Sequence, residues 1–554
     1  MTYFSGRRVL AAAGLLLLGL NAGAQTGTEA LLPVKISATA LPKSWRWIGA
    51  ISAAPDASSF TTKPGTAYLL GGREPLNVLQ VNDDFRMRFD VMMTQGGDVE
   101  LSLPNGSTLS LLHSPDLNRI LKAPGLWQTV DLRYRAATGA QPALLEKLVI
   151  NGVTVREDQR LAPAKATGSV ALWSPNGSLA VRDMAYQILS NRQVARLGNV
   201  RYKLYEGEAE KAADLSAKKP LQEGTLPAIT HEVAYGQTKR YSIVYTGELE
   251  VLQDGPLTFT VQQGGIAGIQ VDGKDVIAPT YADLGQPQTA QTTLKAGKYP
   301  VTVFFSRSWP RPGLGVFVSG PGTRPQALHP QASLPEPDPV GLIAVRAADR
   351  PSLIRSFIQL PNEKKKRTHC LSVGTPAGQH YTMDLNQGAL LQVWKGDFAD
   401  VTEMWHERGE PQLLKPIGTL VSLGGQPTLA ALNDANQVWP DSLNDEKDFL
   451  YKGWKLDADG YPTLQYSYRG AAISDFIKPI SNGLSRTLTV NGGPGLYCRL
   501  AAGKDVEEVR KGLYAVDNHS YYIQLDPKAK PVIRNNRELL LPVSNGTIQY
   551  SIIW

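Results

Sequence analysis

The sequence predicts an all-β protein, and three observations carry that expectation. Apolar residues recur at every second position, as in Phe85, Met87, Phe89 and Val91 against Arg86, Arg88 and Asp90. That is the period of a strand with one buried and one wet face. Two-residue turn signals, Asn151-Gly152 and Asp272-Gly273, fall between apolar runs and mark tight hairpins. The chain also holds 52 Gly and 38 Pro, the punctuation that many short strands require. At 554 residues it exceeds a single core, which implies roughly three or four domains.

The first residues read as a targeting segment. Arg7 and Arg8 precede an uninterrupted run of small and aliphatic residues, Val9 to Leu20, and Ala22-Gly23-Ala24 supplies a small-x-small cleavage signal. Its 12 residues fall short of the ~20 that span a bilayer. The expectation is a signal peptide over residues 1–24, cleaved near Ala24, and a periplasmic or extracellular chain without stable membrane insertion. Hydrophobic residues at 42% and charged residues at 19% fit a folded chain. The net charge of +7 drops by two once Arg7 and Arg8 leave. Spread over this length it does not suit a nucleic-acid partner, which wants basic residues interleaved with aromatics. The densest basic run, Lys364-Lys365-Lys366-Arg367, reads as a solvated turn.

Residues 43–190 continue the alternation. Val99, Leu101 and Leu103 lead through Pro104-Asn105-Gly106 into Leu109 and Leu111, and Val130, Leu132 and Tyr134 alternate with Asp131 and Arg133. A two-sheet sandwich follows. The order "DFRMRFDV", "GLWQTVDLRY", "KLVINGVTV" and "GSVALWSPNGSLAVRDMAYQIL" resembles the 3-keto-disaccharide hydrolase family, related to family 16 glycoside hydrolases, whose domain is a concanavalin-like jelly roll. The resemblance implies action on glycosides oxidised at carbon 3, where a carboxylate abstracts the acidified proton and expels the aglycone. The family's acid in that strand is missing, because Thr108, Leu109 and Ser110 stand there. Glu100 as base, His113 as its partner, and Asp98 and Arg182 as ligand-binding residues make up an altered site. The plain alternative is that Glu100, between Val99 and Leu101, lies on the wet face of a strand.

Residues 198–330 alternate too, with Leu257, Phe259 and Val261, then Tyr299, Val301, Val303 and Phe305. "VRYKLYEGE", "YSIVYTGELEVLQDGPLTFTV", "IQVDGKDVI", "LKAGKYPVTVFF" and "LGVFVSGPG" resemble the protective-antigen-type β-barrel module, or β-sandwich. Sugar-binding versions hold calcium with adjacent Asp residues, and a hard cation needs several oxygen ligands. Gln262-Gln263-Gly264-Gly265-Ile266 stands there instead, so no metal is expected. Trp309, flanked by Arg307, Pro310 and Arg311, is the aromatic candidate for stacking on a sugar. Trp394 and Trp405 read as core residues.

Residues 331–339, with Leu334-Pro335-Glu336-Pro337-Asp338-Pro339, form a semi-rigid linker. Residues 340–554 form a third β-rich domain, with Leu464, Tyr466 and Tyr468 alternating, as do Leu488 and Val490. Asp505 and Glu508 read as a capping box opening one short helix near Val509. "RPSLIRSF", "LSVGTPAGQHYTMD", "WKGDF" and "YKGWKLDADGYPTLQY" resemble a C-terminal domain of exported c-type cytochrome and sorbosone-dehydrogenase-like proteins. The last of these is also similar, weakly, to sugar-mutarotase supersandwiches. No C-x-x-C-H is present, so no haem or other cofactor is expected. Cys370 and Cys498 leave two readings open, a disulfide or two buried thiols. His406-Glu407 has Glu410 where a zinc site needs its second His.

The sequence therefore points to an exported carbohydrate-associated protein with degenerate catalytic sites. It would bind a glycan or cell-surface polymer, with exported enzymes or cytochromes as candidate partners. The alternative is a hydrolase or lyase of 3-keto-glycosides.

Overall fold

A computed structural model describes residues 31–112, 115–139, 141–162, 164–307, 312–335, 340–361, 363–406, 411–543 and 545–554. The signal segment, His113, Trp309, Glu407, Glu410 and linker residues 336–339 lie outside them. The chain is all-β, built almost wholly from antiparallel sheets. It divides into two compact units: Leu31–Ser190 together with Pro339–Trp554, and, inserted in the sequence between them, Asn191–Asp338. No helix of the described residues is long and apolar enough to cross a membrane.

In the first unit, residues 31–190 make a sandwich of one eight-stranded and one four-stranded sheet. The larger sheet places Phe85–Met93 between Trp127–Arg135 and Leu179–Ile188. Phe85, Met87, Phe89 and Val91 all point inward and are fully buried, as their spacing predicts. They meet Val99, Leu101 and Leu103 of the smaller sheet in one core. The Asn151-Gly152 hairpin forms, with Ile150 opposite Val153. Both turn residues adopt φ > 0, at 51° and 84°, which the tight turn demands and Gly grants without a Cβ clash. The sandwich also takes in Leu32–Pro33, which pairs with Tyr186 and Ala185.

Residues 340–554 add sheets of six, four and eight strands. Leu464, Tyr466, Tyr468, Leu488 and Val490 are buried in their shared core. That core also holds Ala123 and Leu126 of the sandwich, so the two stretches are one packed body. Tyr522 donates its hydroxyl to the Ala53 carbonyl at 2.7 Å, and the Trp127 backbone N–H donates to the His519 carbonyl at 3.2 Å.

A buried ion pair anchors this body. The Arg486 guanidinium donates to both Asp475 oxygens, at 3.0 and 2.7 Å, and to Thr428, Tyr550 and the Gly388 carbonyl. All five of its N–H donors are thereby used, the condition for burying this cation without a large penalty.

Two expectations are corrected here, and one open choice is decided. Val506–Arg510 is a strand, not a helix, because Glu508 accepts from Gly512 N–H and the Tyr514 hydroxyl of the returning strand. Cys370 and Cys498 are free, buried thiols, each packed in a different hydrophobic cluster, so no disulfide forms. Trp394 is core, but Trp405 is 74% exposed.

In the second unit, six-stranded and four-stranded sheets enclose a separate core containing Leu257, Phe259, Val261, Val301, Val303 and Phe305. The Asp272-Gly273 turn pairs Val271 with Lys274.

Candidate functional site

Asp98 and Glu100 fall together. Both project away from the sandwich core, on the outer face of the four-stranded sheet, since Val99 and Leu101 point inward. Ser110 lies opposite Glu100 and donates its hydroxyl to Asp98 at 3.3 Å. Trp173, which sequence reasoning did not single out, flanks Glu100 on the other side.

Arg182 is elsewhere. Its neighbours Leu179 and Val181 point into the core, which places Arg182 on the outer face of the eight-stranded sheet. The structure thus sets Glu100 and Arg182 on opposite sides of the sandwich. Arg182 sits in a row running across three strands, Arg182 opposite Asp90 and Asp90 opposite Thr129. Its Nε donates to Asp90 at 3.1 Å, and Thr129 donates to the other Asp90 oxygen at 2.9 Å. The guanidinium lies 4.2 Å over the Trp127 ring, a cation–π contact. Beside this row, burial pushes the Lys122 ammonium down to about 8, opposed by Asp90 and reinforced by Arg182. The turn Asp517-Asn518-His519 adjoins this row, with left-handed φ of 52°, 55° and 58° at three successive residues. Asp, Asn and His bear that conformation better than most side chains. The buried Nη1 of Arg182 and Nε1 of Trp127 have no hydrogen-bond partner among the described residues.

In the inserted unit, Gln263 is fully buried and its amide donates to the Thr280 carbonyl at 3.1 Å, so the position that would carry calcium-binding acids is spent on packing. Asp272 serves the hairpin turn, at φ 51°. Among the described residues no three His, Cys, Asp or Glu side chains gather as a cation site.

The same unit carries an open groove of about 730 Å³, inside the roughly 300–1,000 Å³ of ligand pockets. Its floor is the outer face of Ala195–Glu206 and its two neighbours, Gln222–Leu226 and Tyr241–Val251. Val200, Tyr202 and Leu204 point inward, so Arg201 and Lys203 point out. Pairing then lays down two rows: Thr225–Arg201–Thr246 and Glu223–Lys203–Val244. Leu215 and Ala212, from a short 3₁₀ turn at Ala212–Leu215, pack with Tyr205 and Val244 to form an apolar wall. The Lys203–Glu223 pair is 3.9 Å apart and more than half exposed on both sides, so it holds little energy and its groups are available to a ligand. Sequence reading passed over this groove because Arg201 and Lys203 look like any solvated strand face. The one irregular signal was Tyr205 on that wet face.

No protein-family model matches the chain, and none of the curated proteins does. Solved structures give partial likenesses. One is the PA14 domain of the MpAFP antifreeze protein, 16% identical over 26% of this chain and 93% of that one, with a TM-score of 0.21. A PA14 sugar-binding domain from an RTX adhesin is 14% identical over 24% and 94%, with a TM-score of 0.20. A β-glucosidase from Kluyveromyces marxianus in complex with glucose is 20% identical over 22% of this chain, with a TM-score of 0.17. The chain spans only 15% and 17% of two β-glucosidase chains that it matches. Likenesses this slight define neither a family nor an activity for the chain.

Proposed function

We propose that this is an exported carbohydrate-binding protein, and that the groove of the inserted unit holds a neutral or mixed-charge saccharide. The observation that carries the reading is the two-row array of Arg201, Thr225, Thr246, Lys203 and Glu223 beside one apolar wall. A saccharide offers hydroxyls that both donate and accept, and a ring edge of apolar C–H. Guanidinium, ammonium, carboxylate and hydroxyl groups spaced by adjacent strands answer the first, and the half-buried Ala212 and Val244 answer the second. The glycoside-cleaving alternative needs Glu100 as base and Arg182 as ligand-binding residue on the same sugar, and Glu100 and Arg182 face opposite ways.

A glycan array probed with the full chain tests this. Expected is saturable binding to a subset of oligosaccharides, weakened about tenfold by Arg201→Ala, given that a hydrogen bond to a charged group contributes about 1.5–3 kcal/mol. Binding that survives both Arg201→Ala and Lys203→Ala unchanged would rule the groove out as the binding site. Export is checked by the mass of the secreted chain, which should begin at Gln25.

A further inference from the structure

A second cavity, of about 670 Å³, lies in the other unit, between the Pro115–Arg119 turn of the sandwich and the sheet of Ala389–Asp400. Three cations line it: Arg119, Arg346 and Lys395. Arg119 and Arg346 make no ion pair among the described residues. Lys395 is half-buried, and among the described residues its ammonium reaches only the Leu121 carbonyl, at 3.4 Å. Burial alone depresses it, with no carboxylate offsetting the loss of water. An uncompensated cation in such a place is costly, and an incoming anion would relieve that cost.

One carboxylate, Asp397, stands exposed at the rim. His380, also on the lining, adds no charge at neutral pH. Its ring lies against Trp394 and Phe398, it accepts from Thr375 N–H and donates to the Gly396 carbonyl, and burial pushes it down to about 4. The cavity is therefore net positive by two. The rest of its polar lining is neutral: the Thr375 hydroxyl donates to the Gln379 carbonyl, while the side chains of Asn118, Asn482 and Ser481, also on the lining, make no hydrogen bond among the described residues. Amides and a hydroxyl around a cationic centre suit a ligand carrying one carboxylate among many hydroxyls.

We propose that this cleft binds an acidic saccharide, its carboxylate held by Lys395, Arg119 and Arg346 and its hydroxyls by Asn118, Asn482 and Ser481. The inference stands independently of the groove, which lies in the other unit.

The test is titration of the full chain with a trimer of galacturonic acid, a neutral trimer of galactose, inorganic phosphate and a short polyglutamate peptide, at low and moderate salt. Expected is saturable binding of the acidic trimer that falls with ionic strength and weakens about tenfold in Lys395→Gln. Arg346→Gln, on an exposed segment where folding is not at stake, should weaken it by a comparable factor. The neutral trimer should not compete for the same site. Equal competition by the neutral trimer, or unchanged binding in both variants, overturns the proposal. Phosphate or polyglutamate displacing the acidic trimer at equal concentration overturns it too, since the site would then read charge alone. Loss of acidic-trimer binding in Arg201→Ala with retention in Lys395→Gln would move the ligand to the groove, and that also overturns it.

Discussion

The Tyr522 hydroxyl donates to the carbonyl of Ala53 across 469 positions of sequence. Gly125 lies against the same hydroxyl. A Cβ at that glycine would sit 2.3 Å from the Tyr522 oxygen and 2.5 Å from the Ala53 oxygen, at a φ of +76°. The seam between the sandwich and the C-terminal sheets is thus built to backbone contact. Tyr522→Phe should cost about 1–3 kcal/mol in urea unfolding, because the buried Ala53 carbonyl loses its donor. Gly125→Ala should cost more, from overlap and left-handed strain together.

Asp475→Ala should be among the most damaging single changes, at about 3–5 kcal/mol, since it strands the Arg486 guanidinium in the core. Tyr550→Phe removes one of five acceptors and should cost about 1–3 kcal/mol. Urea midpoints of the two variants, compared with the parent, check the ranking.

Both thiols are silenced by burial. Cys498 is pushed up to about 12, and Cys370 is raised as well. Native protein should leave a thiol-specific reagent unreacted, and denatured protein should consume two equivalents. In the unfolded chain these thiols ionise near 9, so above that pH the unfolded state binds fewer protons than the native one. Stability should be flat with respect to them below about pH 8 and fall as pH rises from about 9 towards 12. A urea midpoint that stays constant to pH 11 would contradict this.

His380 works in the opposite sense. Its folded value of about 4 lies below the usual 6.5, so the unfolded chain binds the extra proton as pH falls between those values. Its contribution is whole above about pH 6.5 and lost on descent to about 4. The full loss is about 3 kcal/mol. Unfolding measured at pH 7 and pH 4.5 should differ by less in His380→Gln than in the parent.

Much of this architecture was legible in residue order. Period-two spacing located the buried faces of Phe85–Met93 and Trp127–Arg135, and the Asn-Gly and Asp-Gly pairs located hairpins, because each signal is read from neighbours in sequence. What failed depended on distant partners. Glu508 has the spacing of a helix cap, yet its carboxylate is claimed by Tyr514 and Gly512. The union of residues 31–190 with 339–554 rests on contacts such as Ala53–Tyr522 and Ile120–Thr419, which no local pattern announces. Both candidate cavities were invisible for the same reason. Arg119, Arg346 and Lys395 are ordinary surface cations until three separate stretches bring them round one space.

The insertion of residues 191–338 has a consequence for how the molecule is made. On the ribosome, the middle unit has its whole core, from Val194 to Val318, while its host is still half-written. Ala123 and Leu126 cannot find their partners, among them Tyr522 and Trp554, until those residues emerge. The nascent sandwich must hold a sticky flank in water for the length of some four hundred further codons, so it is sealed only after the unit inserted behind it has closed its own core.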